Sequence, residues 1–236
     1  MHIGLNLVYL VPGYTGGTEV YARELIPELV AAAPRAQFTA FVNREGATET
    51  EAPWCRLIPT VTVPVWGRHR AQWVRGEQQL LPRLAARAGV DLLHSLANTA
   101  PAWGRFRRVV TIHDLIYRLA PEAHLGVLGL GMRVLVPLAA RRSDRIITVS
   151  RSTRDDVERL LRVSPRKVDV VPQGVGAGPT AAPLPGSELR ARLGAGRRQI
   201  VLCVSAKRPH KNLARLIGAI ARIPADRRPL LVLPGY

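Results

Sequence analysis

Short runs rich in Val, Ile and Leu recur along this chain: "IGLNLVYL", "QFTAFV", "VDLLH", "VVTIH", "RIITVS", "VDVVP", "QIVLCVS" and "LLVLPG". Several are apolar at every position. A strand with one wet face alternates apolar and polar residues, so an unbroken apolar run suits a strand covered on both faces, as in a parallel sheet. Between the runs lie stretches with helical period. Residues 18–33 place Tyr21, Ala22, Leu25, Ile26, Leu29, Val30 and Ala33 on one stripe, with Pro27 expected to kink the helix. Residues 70–88 place Trp73, Val74, Glu77, Leu80, Leu81, Leu84 and Ala88 along one side, with Arg75, Arg83 and Arg87 opposite. Alternation of strand and helix predicts an α/β domain on a mainly parallel sheet.

The pattern breaks after Val171. Residues 172–198 are rich in Pro, Gly and Ala, with one short helix expected near 187–193, and read as a linker. A second strand–loop–helix–strand unit begins at Gln199. The expected organisation is therefore a domain over 1–171, a linker over 172–198 and the start of another domain over 199–236. The strands at 199–204 and 230–234 read as fully buried parallel strands, with one helix near 212–222 to cover them. The chain has 236 residues, 47% of them hydrophobic, enough for a sizeable core and against intrinsic disorder. No run of about 20 apolar residues occurs, so no membrane-spanning helix is expected. The N-terminus "MHIGLNLVYLVPGY" reads as a first strand, not a signal peptide. Cys55 and Cys203 are too few for a disulfide framework, Cys203 reads as a buried thiol, and a reducing cytoplasm fits. The formal charge of +17 favours anionic partners. Aromatic residues are only 5% and no nucleic-acid motif appears, which argues against nucleic acid.

Chemistry-bearing residues gather where strands end. In "GYTGGTEVYARELIPEL" a strand ending near Leu10 passes through a glycine turn into a helix beginning near Thr18. Gly16 and Gly17 allow close backbone approach, and the free N–H groups of the helix start, with Thr18, face an anion; a plain turn into a helix is the alternative. The turn is not the strict G-x-G-x-x-G fingerprint, and no acid closes the second strand. In "VVTIHDLIYRLAPE" an apolar strand runs into His113 and Asp114. Strand ends of an open parallel sheet face the ligand crevice, and a histidine there can hydrogen-bond or carry a proton, or be structural. In "ITVSRSTRDDV" Ser150 stands at a strand-to-helix turn, where capping explains it fully and ligand contact is the alternative. In "VSAKRPHKN" Lys207, Arg208 and Lys211 cluster before a helix starting near Asn212, a setting that suits a pyrophosphate, against the alternative of a solvated turn.

Taken in order, these stretches resemble the family 4 retaining glycosyltransferases. The resemblance is carried by the turn Gly16–Gly17–Thr18–Glu19, "TIHD" at 111–114, "ITVSRSTRDDV" at 147–157, "VVPQGV" at 170–175 and "KRPHKNLARLIGAI" at 207–220. It implies a GT-B fold: a Rossmann-like N-terminal domain on the acceptor side and a second Rossmann-like domain, here truncated, that holds the nucleotide sugar. It implies transfer of a hexosyl group, leaning towards mannosyl, with retention, to a saccharide or lipid-linked acceptor, with no cofactor and no metal. By position, His113 and Asp114 fall at the reaction centre. Gly16, Gly17, Thr18 and Ser150 face the donor phosphate and acceptor, and Lys207, Arg208 and Lys211 neutralise the diphosphate. Many members carry an Arg where this chain has Ala206, which shifts that role to Lys207 or Arg208. The family's E-x7-E motif, deeper in the donor domain, is absent.

The expectation is thus a donor domain cut short, inactive alone unless a complementary donor-domain chain exists. Its place is cytoplasmic, or peripheral on an anionic membrane face, with residues 124–142 as a docking segment or, by the interruptions at Arg133 and Pro137, a core helix. The rivals are a nicotinamide-type Rossmann enzyme, which the missing fingerprint disfavours, and a non-catalytic partner-binding remnant of the same fold.

Overall fold

The computed structural model describes residues 1–120, 127–176 and 182–235; side chains of 127–129 are left aside. In chain order the elements are β1 (His2–Leu7), α1 (Gly17–Ala32), β2 (Gln37–Val42), α2 (Arg44–Ala47), α3 (Pro53–Arg56), β3 (Thr60–Thr62), α4 (Arg70–Arg75), a π turn (Gly76–Leu80), α5 (Leu81–Arg87), β4 (Leu92–Ser95) and β5 (Arg107–Ile112). They continue with α6 (Ile116–Leu119), α7 (Val127–Arg142), β6 (Arg145–Thr148), α8 (Arg151–Leu161), β7 (Val168–Val170), α9 (Gly186–Arg192), β8 (Ile200–Leu202), α10 (Leu213–Ala221) and β9 (Leu230–Val232). Two compact units result, one of residues 1–119 with 127–176, the other centred on 182–235.

The first unit is a seven-stranded sheet in the order β3-β2-β1-β4-β5-β6-β7, every pair parallel. The fold is an α/β Rossmann-like one, as the unbroken apolar runs predict. Strand β3 was not among those runs: "TVT" carries two threonines and only one aliphatic residue. Leu5, Leu7, Phe38, Ala40 and Val42 pack with Ala22 and Ile26 of α1 and with Trp54. Val8, Phe41 and Leu93 pack with Leu81 and Ala85 of α5. A third cluster joins Val110, Ile112 and Ile146 to Val136, Ala139 and Ala140 of α7 and Val157 of α8. The predicted α1 stripe is the one that packs on this core, and Pro27 sits within α1 without ending it. Gly4 sits in β1 because a Cβ there would come within 2.9 Å of the Phe41 ring and 3.0 Å of Leu93.

The segment predicted as one helix over 70–88 is two helices joined by the π turn. One residue too many for the α period is absorbed at Gly76–Leu80, and the shift brings Glu77 fully inside. Helix α7 buries Val136, Ala139 and Ala140 and leaves Leu130 and Val134 exposed. The part of the 124–142 segment before Val127 lies outside the described residues. Among the described residues no helix is long and apolar enough to cross a membrane.

In the second unit β8 and β9 pair in parallel, with α10 between them in sequence. The expectation of fully buried strands is corrected here. Ile200, Val201 and all of β9 are half-buried, Leu202 is 60% and Val204 74% exposed, and Cys203 is half-buried. A two-stranded sheet covered by one helix has too little apolar contact to bury its strands. Two-stranded sheets are marginal on their own, and local opening follows buried apolar contact. Hydrogen exchange should therefore be slowest in β1, β4 and β5 and faster by orders of magnitude in β8 and β9. Equal protection of the two sheets would contradict this ranking.

Candidate functional site

Strand order reverses at β1, which lies between β2 and β4. In open α/β sheets the crevice beyond the C-terminal ends of such strands takes the ligand. Here it is framed by the β1–α1 loop, the β4–β5 connection, the start of the β5–α6 loop and the start of α8.

The β1–α1 loop is built by side chains. Asn43, at the end of β2, donates Nδ2 to the carbonyls of Val8 (3.0 Å) and Leu10 (2.8 Å), and its Oδ1 accepts from Gly46 N. Those bonds turn the chain after Leu7, short of the Leu10 predicted as strand end. The buried Glu19 carboxylate accepts from Gly13 N at 2.8 Å and from Arg23 at 2.8 Å. Gly16 has φ +71°, in the region that favours glycine, and caps α1. Gly17 opens the helix, with open space where a Cβ would stand. Glu19 and Val20 donate to the Gly16 carbonyl, whereas nothing among the described residues accepts from the N–H of Gly17 or Thr18. Thr18 accepts the Tyr9 hydroxyl at its carbonyl (3.2 Å).

His113 stands immediately past β5 and is half-buried. Its backbone N–H donates to Asn98 Oδ1 (2.8 Å), and its Nε2 lies 2.8 Å from the Leu96 carbonyl. A carbonyl only accepts, so Nε2 carries the proton and Nδ1 is the acceptor, 3.2 Å from Gln173 Nε2. Tyr21 of α1 meets the ring edge-on at 4.9 Å. Burial pulls the imidazole pKa below its ordinary value, opposed by the Leu96 carbonyl and Asp114, so the ring is neutral at pH 7. Asp114 accepts from Ile116 N at 3.0 Å and starts α6. Ser150 caps α8, accepting from Thr153 N at 3.0 Å, and Thr153 Oγ1 donates to the His113 carbonyl (3.1 Å). His113, Asp114 and the Ser150 cap thus form one bonded group, with α1 joined to it through Tyr21.

Lys207, Arg208 and Lys211 belong to the second unit. Lys207 Nζ donates to the Gly235 carbonyl (2.7 Å) and ties the loop after β8 to the end of the described chain. Lys207 and Arg208 line a hollow of about 300 Å³ with Pro209, Asn212, Leu213 and Ala214; Lys211 stands outside that lining. No described group pairs with the Arg208 guanidinium or the Lys211 ammonium. Asn212, at φ +52°, turns the chain into α10 without a side-chain cap. Among the described residues no group of three His, Cys, Asp or Glu is placed to hold a metal ion.

The model of Glycosyltransferase Family 4 matches residues 15–177, more than half of the chain. The chain belongs to Glycosyltransferase Family 4. Among solved structures it is similar to Anabaena HepE in complex with UDP-glucose (23% identity, TM-score 0.63, 99% of this chain and 60% of that one). A glycosyltransferase from Rickettsia africae is similar at 12% identity and TM-score 0.59, with the same coverage. The lipopolysaccharide outer core galactosyltransferase WaaB in its apo form is similar at 11% and 0.56, again covering 99% and 60%. These likenesses establish the GT-B type of fold; the family 4 chain spans 60% of the length of each of these structures. No curated protein matches.

Sequence reasoning missed part of this candidate site. Asn6, Glu77, Ser95, Asn98, Thr99 and Gln173 all engage it. Glu77 had a signal: it stood on the apolar stripe of residues 70–88, where a carboxylate must find partners inside. It accepts from Asn6 Nδ2 (3.0 Å), Thr99 Oγ1 (2.9 Å) and Gln78 Nε2 (3.1 Å). Burial outweighs these three donors and pushes its pKa up to about 7. His94, under the site and 2.9 Å from Thr111 Oγ1, is pulled down to about 4, by burial first and His113 second.

The two groups oppose each other in pH. A carboxyl whose folded pKa exceeds its ordinary 4.5 binds its proton more tightly in the fold. Its contribution to stability is full below about pH 4.5 and declines until about pH 7, by about 3 kcal/mol. A histidine depressed from 6.5 to about 4 contributes fully above pH 6.5 and loses that contribution as pH falls towards 4. Glu77→Gln removes only the first effect. Between pH 4.5 and 7 the urea stability of the variant should gain on the parent by about 3 kcal/mol. A difference that stays constant with pH would place the Glu77 pKa at its ordinary value.

Proposed function

We propose that this chain is the acceptor-side domain and the beginning of the donor domain of an enzyme that transfers a hexosyl group from a nucleotide sugar to a saccharide or lipid-linked acceptor, with retention. The observation that carries the reading is His113: a neutral imidazole at the end of a central strand, with Nε2 committed to Leu96 and Nδ1 left as an acceptor towards Gln173. A neutral acceptor suits a sugar hydroxyl and does not suit a phosphate. In this reading a donor hydroxyl takes the place of Gln173 at Nδ1, and the N–H groups of Gly17 and Thr18 face the oxygens near the transferring bond. Asp114 holds the turn that presents the ring. Arg208 and Lys211 supply charge for the departing diphosphate, and Lys207 holds their loop in shape.

The donors to try first are uridine diphosphate sugars, because HepE is known in complex with UDP and glucose and with UDP-glucose; a mannosyl donor is the next choice. For a lipid-linked acceptor, support comes from a hollow of about 460 Å³ lined by Trp73, Val74, Met132 and Leu135, with Arg70 and Arg75 among its lining. An apolar wall with guanidinium groups suits an anionic amphiphile and, with the +17 charge, a peripheral position on an anionic membrane face.

In an enzyme completed by a donor half, His113→Ala should lower turnover with a panel of nucleotide sugars about 10²-fold or more, at unchanged thermal stability. Turnover equal to the parent would return His113 to a structural role. In the chain itself, Arg208→Met with Lys211→Met should weaken UDP binding by calorimetry about tenfold or more, and flatten its decline with added salt. Unaltered UDP affinity would put the diphosphate elsewhere.

A further inference from the structure

His113 is held by acceptors that both come from one short segment: the Leu96 carbonyl on Nε2 and Asn98 Oδ1 on its backbone N–H. That segment needs holding itself. Asn98 has φ +37°, a conformation a non-glycine residue keeps only when its surroundings impose it. Its N–H donates to the Thr111 carbonyl at 2.8 Å, which fixes the middle.

The two ends lead to one side chain, one directly and the other through Asn6. Thr99, at the C-terminal end, donates its hydroxyl to Glu77 Oε1 at 2.9 Å. Ser95, at the N-terminal end, accepts from Asn6 Nδ2 at 3.0 Å, and the same amide donates to Glu77 Oε1 at 3.0 Å. Asn6 and Ser95 are register partners across β1 and β4, and Asn6 Oδ1 accepts from Val8 N at the start of the β1–α1 loop. On its other oxygen Glu77 holds Gln78, whose side chain bonds Ala100 O and Ala102 N just beyond the segment. Asn6, Glu77, Ser95 and Thr99 are all 1% exposed or less. No solvent competes for these bonds, and a donor lost here is not replaced by water.

We propose that Glu77 is a positioning residue for the His113 site: its carboxyl holds the Ser95–Thr99 segment, directly at Thr99 and through Asn6 at Ser95, and thereby sets the orientation and tautomer of the His113 ring. The significance of the clamp rests on the reading of His113 as the sugar-side group, but the clamp itself is tested without donor or turnover. Both Asn6 and Thr99 present hydrogens to a single oxygen, and the second oxygen is free for Gln78.

The experiment is imidazole nitrogen NMR on the whole chain, with His2 as the internal reference. His2 bonds Thr39 on β2, which neither Glu77 nor the Ser95–Thr99 segment touches. The parent should show His113 as a single Nε2–H tautomer. Glu77→Leu, which keeps bulk and removes both oxygens, should turn His113 into a mixture of tautomers, with its titration shifted back towards ordinary histidine, while the His2 nitrogen signals stay as in the parent. Thr99→Val deletes one arm at constant shape and should give a smaller change of the same kind. It also carries the test where the first variant does not fold. A His113 signature unchanged in Thr99→Val and in any folded Glu77→Leu would overturn the proposal. Equal changes at His2 and His113 would overturn it too, since Glu77 would then be supporting the domain at large. Failure of UDP binding or transfer in the parent would leave these NMR outcomes untouched, so the two readings fail separately.

Discussion

The parallel pairing of β1 with β4 is the constraint on which the rest of the first unit depends. Parallel neighbours cannot be joined by a hairpin, so the chain must cross over between them. It goes out through β2 and β3 and returns beneath the sheet along α4, the π turn and α5 before β4 can pair with β1. Loops that leave β1 and β4 then depart in opposite directions, and nothing from the sheet itself fills the space between them. The site occupies that space. Its components come from separated parts of the chain: Asn6 and Gly17 from the first strand and helix, Glu77 from the crossover, Asn98 from the β4–β5 connection and His113 from the next strand.

Just below this opening the apolar core gives way to a polar one. Asn6, Glu77, Ser95 and Thr99 are buried as completely as Leu5 or Leu93. Replacing such a cluster with aliphatic side chains of similar volume is often neutral or stabilising in other proteins, so added stability is weak grounds for its presence. What hydrogen bonds supply and aliphatic contacts do not is direction. An apolar plug would tolerate small shifts of the loops above it. The bonds from Asn43 to the Val8 and Leu10 carbonyls and from Thr99 to Glu77 do not, because each fixes an angle as well as a separation.

How much was legible in the sequence depended on whether the signal was local. Parallel strands announce themselves in unbroken aliphatic runs, and α1 in a stripe that the core uses as predicted, so fold class and the β1 turn could be read directly. Ser150 as a cap was equally local, three residues from the N–H it accepts. Strand β3 escaped because "TVT" lacks the aliphatic density that marked the others. The π turn escaped because a single extra residue shifts a helical stripe without erasing it. The partners of His113 were out of reach for a different reason. Asn98 and Gln173 are 15 and 60 residues away from it in the chain, and only the fold brings them to the ring. Glu77 sat between these cases: its presence on an apolar stripe signalled a buried carboxyl, while its partners Asn6 and Thr99 required the crossover to be drawn.

The distribution of charge carries the argument one step further. A nucleotide-sugar donor is chemically divided, with a neutral ring at one end of the transferring bond and a diphosphate at the other. Under the proposed function, the two units of this chain, each taken by itself, are divided in the same sense. Around His113 the first unit offers an imidazole held uncharged by burial, backbone N–H dipoles at Gly17 and Thr18, and hydroxyls, while the neighbouring Asp114 carboxyl accepts from Ile116 N. Glu19, the nearest carboxylate in the glycine turn, has its charge met by Arg23 and Gly13. The loop after β8 offers the contrary, two cations with no partner among the described groups, beside a helix whose first N–H groups are open. Dipoles recognise hydroxyls without a large desolvation penalty, whereas cations are needed where negative charge accumulates on a leaving group. A dinucleotide enzyme would need the reverse in the first unit, with an anion-binding glycine fingerprint at β1 and a ribose-binding acid after β2. The β2 strand ends instead in Asn43, whose amide is spent on the backbone of the turn, so the position that would select a dinucleotide serves here to shape the glycine loop.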